Sequence, residues 1–315
     1  MRQRCDRHSE LRAMVFDVAR GAGLPARLAK EVALHAPRSP RRPGRLLVAC
    51  DLDRTLIYSA QALGLNGQDA DAPRLVVAEV YQGVPISFLT RDAESLLIAL
   101  AGVAQLVPTT TRTRVQYERL RLPVPPRYSI VANGGRILEY GIPDREWSVG
   151  LAVRLEAGGV PLAEVVDYLE KITDPRWLLK SRVAEDLFAY LVVARDELPH
   201  NLISDLMGWC APRGWSVSLQ GRKVYCVPDL LTKSAAVAEV AHRCGAVLTA
   251  AAGDSLLDAE MLAASDKAVR PAHGELHDVG WHRANLSVTH GVGVLGGQEI
   301  CARLLAYALA VSPTA

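Results

Sequence analysis

The chain has no run of about 18 apolar residues able to cross a membrane. It also has no C-x-x-C pair and no large excess of either charge. A net charge of +2 over 315 residues gives no electrostatic reason to expect nucleic acid as a partner. Six cysteines (Cys5, Cys50, Cys210, Cys226, Cys244, Cys301) are scattered, several in apolar runs, which predicts reduced thiols in a cytoplasmic protein rather than a disulfide framework. The amino-terminal stretch lacks the uninterrupted apolar core of a signal peptide. What remains, 50% hydrophobic and 22% charged residues, is the composition of an ordinary soluble enzyme with length for two domains.

Residues 1–44 form an arginine-rich extension closing in Pro37-Arg38-Ser39-Pro40-Arg41-Arg42-Pro43-Gly44, a composition that resists helix and marks a linker. Its middle, Leu11 to Leu34, is expected to form one or two short helices, solvated or packed on the core. No catalytic part is assigned to it.

The most informative segment is Leu46-Leu47-Val48-Ala49-Cys50-Asp51-Leu52-Asp53-Arg54-Thr55, where an apolar run delivers two carboxylates and a hydroxyl to the end of a buried strand. Chemically, Asp51 can attack phosphorus, while Asp53 can protonate the leaving oxygen and later deprotonate water. A polar loop whose aspartates merely satisfy backbone N–H groups fits this segment alone equally well. A second apolar run, Ala246 to Ala252, leads into Gly253-Asp254-Ser255-Leu256-Leu257-Asp258. Four acids within about 4 Å would repel by roughly 4 kcal/mol per pair at an effective dielectric of about 20, so the cluster requires a cation. Oxygen ligands alone favour Mg²⁺, bridging Asp51, the main-chain carbonyl of Asp53, Asp254 and Asp258.

Thr109-Thr110-Thr111-Arg112 follows the apolar Leu106-Val107-Pro108, which places hydroxyls and a guanidinium where they can meet phosphoryl oxygens. Thr110 is the preferred ligand. Lys233 opens an alanine-rich helix, so its ammonium can reach the nucleophile.

The order D-x-D-x-T, threonine, lysine, G-D-S-x-x-D resembles the haloacid dehalogenase (HAD) superfamily of aspartate-nucleophile phosphatases from about Arg45 to Leu309, most closely its Cof-like and sucrose-phosphatase-like branch. Supporting details are Thr110-Thr111-Arg112 where relatives often carry T-G-R, and Asn133-Gly134-Gly135 where they carry N-G and a small residue. The resemblance implies an α/β fold: a Rossmann-like parallel-sheet core (45–141 and 229–315) with an inserted α+β cap (142–228) that sets specificity. It implies Asp51, Asp53, Thr110 and Lys233 as catalytic residues, and Arg54, Thr111, Arg112, Asn133 and Gly134 around the substrate. Three positions depart from the pattern. Arg54 stands for the usual glycine, Leu257 for a common asparagine, and Thr111 for a glycine.

Elsewhere, Arg74 to Tyr81 and Val84 to Thr90 read as a β-hairpin, and strands alternating with helices predict a parallel sheet. Between 142 and 228 two helices, a strand and a hairpin are expected. Arg176, Lys180 and Arg182 there are candidates for the non-reacting part of the substrate. Gly291-Val292-Gly293-Val294-Leu295-Gly296 fits a dinucleotide-binding pattern but leaves no room for a full βαβ unit, so a strand-to-helix turn is expected. His273, His277 and His282 match no zinc spacing. The reading is a Mg²⁺-dependent hydrolase of a small phosphorylated metabolite, a sugar phosphate or nucleotide-like compound. The alternatives are a phosphotransferase or mutase using the same aspartyl-phosphate, and a non-catalytic sensor.

Overall fold

The computed structural model describes residues 2–21, 24–36 and 45–311. The chain opens with helices α1 (Arg2–Gly21) and α2 (Ala26–Leu34), then strand β1 (Leu46–Cys50) and the hairpin β2 (Leu75–Tyr81) and β3 (Val84–Thr90). Next come α3 (Arg91–Val103), β4 (Gln105–Pro108), α4 (Arg114–Tyr117) and a meander of β5 (Tyr128–Val131), β6 (Arg136–Glu139) and β7 (Ile142–Pro143). The following stretch carries α5 (Arg145–Gly158), α6 (Leu162–Ile172), β8 (Leu178–Ala184), β9 (Phe188–Val193), α7 (Leu202–Cys210), β10 (Trp215–Gln220) and β11 (Lys223–Pro228). The chain returns through α8 (Lys233–Cys244), β12 (Leu248–Ala252), α9 (Ala259–Ala264), β13 (Lys267–Arg270), α10 (Glu275–Asp278), β14 (Leu286–Val288) and α11 (Gly293–Val311).

Five strands form a parallel sheet in the order β14-β13-β12-β1-β4. The central β1, Leu-Leu-Val-Ala-Cys, is buried at every position, as a strand covered on both faces must be. Its alternate residues go to opposite faces: Leu46, Val48 and Cys50 join the core beneath α3 and α11, while Leu47 and Ala49 join the core beneath α8. Register then decides where the polar residues emerge. Cys50 pairs with both Ala252 and Pro108, so the residues that follow all three leave the sheet at one carboxyl edge. Asp51 N–H donates to Ala252 (2.9 Å) and Thr109 N–H to Cys50 (2.7 Å), carrying the pairing one step past each strand.

Between β7 and α8 lies a four-stranded antiparallel sheet, β10-β11-β9-β8, with α5, α6 and α7 around a separate apolar cluster. The α/β class, the hairpin at β2 and β3, and the hairpin at β10 and β11 follow the sequence reading. Helix α5 and strand β8 were not anticipated, and β5 pairs antiparallel with β6 and meets the end of the main sheet where Thr109 bridges to Ile130 and Thr110 N–H donates to the Ile130 carbonyl (2.8 Å).

Val15, Ala19, Leu28, Ala29 and Val32 of α1 and α2 are buried in the same core as α11, so the described part of the extension is packed. The expected linker Pro37 to Gly44 lies outside the described residues. Against the expectation from sequence, one helix among the described residues, α11, is long and apolar enough to cross a membrane, although 83% of its apolar stretch is buried inside the protein.

Candidate active site

Asp51 begins the turn after β1 and is 5% exposed. One carboxylate oxygen accepts from Lys233 Nζ at 2.7 Å and the other from Thr55 Oγ at 3.0 Å. Lys233, in the first turn of α8, also donates to Asp258 Oδ1 at 2.6 Å. The second oxygen of Asp258 accepts from Ser255 Oγ (2.7 Å) and from the N–H groups of Ser255 (2.9 Å) and Asp254 (3.2 Å). Asp258 thus fixes both the lysine and the acidic turn.

Asp51, Asp254 and Asp258 each offer an oxygen, all within 4.8 Å of one another. Burial, with Asp258 and Asp53 adding to it against the pull of Lys233, pushes the Asp51 carboxyl up to about 7. Burial, Asp51 and Asp258 drive Asp254 well above the carboxylate range. Lys233 is raised despite burial, because Asp258 and Asp51 outweigh it. Three buried carboxylates around one ammonium are short of positive charge and offer only hard oxygen donors, a set that fits a divalent cation of the Mg²⁺ type.

The Asp53 carboxylate has a different partner: both of its oxygens accept from Arg112, Nε at 2.7 Å and Nη2 at 2.8 Å. Burial works against its charge, but Arg112, with help from Lys223 and Lys233, keeps the carboxyl below its usual value. Arg54 adopts φ 63°, the left-handed region that a glycine occupies without strain. Its carbonyl is held by His273 Nε2 (2.9 Å), a tautomer set by the Gly293 N–H donating to Nδ1 (3.1 Å). The Arg54 Nε lies 3.4 Å from Asp254 Oδ2 without forming a hydrogen bond.

Not every residue expected at the substrate is placed there. Thr110 and Thr111 lie at the strand edge, buried, with Thr110 Oγ accepting from Arg112 N–H (3.1 Å). Arg112, expected on phosphoryl oxygens, is engaged by Asp53 and by Glu79 (2.7 Å). Asn133, at φ 57°, donates to the Leu231 carbonyl (2.7 Å), and a Cβ on Gly134 would meet Thr232 O at 2.3 Å. These two therefore seat the start of α8, and with it Lys233, rather than a ligand. Arg182 is exposed on β8 opposite Tyr190, donating to the neighbouring Ser181 carbonyl (2.9 Å), and Arg176 turns to Asp174 (2.8 Å). Leu257 packs on the apolar cluster of the inserted unit, which accounts for a leucine in place of a polar residue.

Three residues escaped sequence reasoning. Glu79, a lone acid in the apolar strand β2, is fully buried. Lys223 lies over the rings of Tyr190 and Tyr225, at 5.6 and 6.0 Å, with its charge acting on Asp53. Glu275 ties the inserted sheet to the acidic turn, accepting from Ser218 Oγ (2.7 Å), Leu219 N–H (3.1 Å) and Leu256 N–H (2.9 Å). The alternation of Lys223 with Tyr225 was visible in the sequence; nothing local singled out Glu275.

No protein-family model and no curated protein matches the chain. Solved structures do. The sucrose-phosphatase of Synechocystis sp. PCC6803, determined with sucrose and phosphate, matches at 15% identity over 84% of this chain and 98% of that one, with a TM-score of 0.56. Thermoplasma acidophilum 0175 matches at 14% identity over 83% and 99%, TM-score 0.55. BT1666 from Bacteroides thetaiotaomicron, a HAD enzyme superfamily phosphatase, matches at 11% identity over 84% and 96%, TM-score 0.47. The fold is that of the sucrose-phosphatase and of Thermoplasma acidophilum 0175. The likeness to the sucrose-phosphatase extends over nearly the whole of the other chain.

Proposed function

We propose that the chain is a Mg²⁺-dependent phosphatase that hydrolyses the phosphomonoester of a small metabolite. The observation that carries this reading is the position of Lys233 Nζ between Asp51 and Asp258, with Asp254 in the same cluster and Asp53 two residues from the nucleophile. Asp51 attacks phosphorus to form an aspartyl-phosphate. Asp53, freeing one oxygen from Arg112 and taking up a proton from solvent as the ester binds, protonates the leaving oxygen and then takes a proton from the water that releases phosphate. Lys233 neutralises charge at Asp51 and on the phosphoryl oxygens, and Thr110 borders the same strand edge. Asp51, the Asp53 carbonyl and Asp254 would hold a divalent cation, which would supply further positive charge against the phosphoryl group.

Residues 142–228 serve as a cap, excluding water and presenting Tyr190, Tyr225 and Lys223 to the substrate. A sugar phosphate is the favoured class, in keeping with the sucrose and phosphate found in the Synechocystis structure. Five described cysteines are free thiols, which supports a cytoplasmic setting. The test is inorganic phosphate release from a panel of phosphorylated sugars and nucleotides with Mg²⁺. Isomer formation without release would identify a mutase instead, and binding without turnover a sensor.

A further inference from the structure

Glu79 is the one charged residue of β2, and its side chain is 1% exposed. It sits where the register of the hairpin slips on either side, an irregularity that re-aims a side chain. A carboxylate so buried requires partners, and it has three: Arg112 Nη1 at 2.7 Å, Arg119 Nε at 2.9 Å and Ser87 Oγ at 3.1 Å. The other edge of the Arg112 guanidinium grips both oxygens of Asp53. The result is a row of alternating sign, Asp53, Arg112, Glu79, Arg119, running from the cleft into the hairpin. Arg119 is itself steadied over the Tyr81 ring at 4.6 Å.

A guanidinium is flat and rigid, so whatever fixes one edge fixes the plane in which the other edge presents its hydrogen bonds. The Asp53 side chain is 44% exposed and would otherwise be free to turn on its loop. We propose that Glu79 is a positioning residue that, through Arg112, sets the orientation of the Asp53 carboxyl toward the leaving oxygen. The hairpin at β2 and β3 therefore aligns the proton donor. This inference rests on the phosphatase reading and on the acid–base role given to Asp53.

A purely structural ion pair would slow all substrates alike. Positioning of a proton donor affects them unequally, because a good leaving group needs no proton. The experiment measures kcat and KM with Mg²⁺ for Glu79→Gln, Glu79→Asp and Arg112→Lys across phosphomonoesters from 2,4-dinitrophenyl to alkyl. General acid catalysis contributes about 100- to 10,000-fold, so misorientation should lower kcat for alkyl phosphates by roughly 10- to 100-fold. The 2,4-dinitrophenyl ester should change by less than about 3-fold, with KM unmoved throughout. Glu79→Asp should recover part of the loss, and Arg112→Lys, which keeps the charge but not the fork, should reproduce the steep dependence even if Glu79→Gln fails to fold. A uniform decline, or none, overturns the proposal. A wild type inactive on every ester overturns the phosphatase reading instead, and crystal structures of wild type and Glu79→Gln then decide: an unchanged two-bond grip of Arg112 on Asp53 in the variant overturns the relay.

Discussion

Lys233 and Asp258 meet at 2.6 Å with both side chains closed off from solvent, and the same ammonium reaches Asp51 at 2.7 Å. Removing the lysine leaves two carboxylates buried without their counter-charge. Lys233→Met is expected to lower stability by about 3–5 kcal/mol, the usual consequence of breaking a buried pair from one side. Urea unfolding in EDTA measures it, and an unmoved midpoint would show that the pair contributes nothing.

Asp51→Asn keeps the shape of the proposed nucleophile and should remove its reactivity. Turnover of an aryl phosphate with Mg²⁺ should fall by on the order of 10,000-fold or more, with the circular dichroism spectrum unchanged. Residual turnover near the wild-type rate would exclude Asp51 as the attacking group.

The pH dependence of the proposed metal binding follows from the raised carboxyls. A carboxyl whose folded-state pKa lies above its unfolded value stabilises the fold when protonated. For Asp51 that contribution is complete below about pH 4 and is lost as pH rises through about 7. Mg²⁺ needs the ionised forms, so its stabilising effect should be larger at about pH 7.5 than at about pH 5. At a hundredfold excess over Kd it amounts to about 2.7 kcal/mol. Thermal melts with Mg²⁺ and with EDTA at the two pH values decide the sign; a greater gain at the lower pH contradicts it.

Arg54→Gly should act on two properties together. Glycine relieves the left-handed backbone at φ 63°, worth roughly 1 kcal/mol, and withdraws a guanidinium from Asp254. Calorimetric titration is expected to show Mg²⁺ binding several-fold more tightly, together with a higher melting temperature. Weaker binding would mean that Arg54 supports the cation site.

The strand-end chemistry was legible because it is local. An apolar five-residue run followed by Asp51 and Asp53, and the alanine-rich β12 followed by Asp254, announce themselves within a dozen residues, and parallel register brings them together. What was not legible depends on distant partners. Arg112 reads as a phosphate ligand until the fold sets Glu79, 33 positions earlier, against it. Asn133 and Gly134 read as site residues, yet they face a backbone 98 positions on. Strand β8 escaped because an edge strand exposed at five consecutive positions shows no alternation. Helix α5 buries only Leu151, too little to mark a face.

The helices at residues 2–34 and the helix at 293–311 share one apolar core, although they stand at opposite ends of the chain. During synthesis residues 2–34 have to wait for residues 293–311 before they can be covered. Completion of this core is thus postponed until both segments have been made. Removal of either segment by proteolysis strips the other of its shelter.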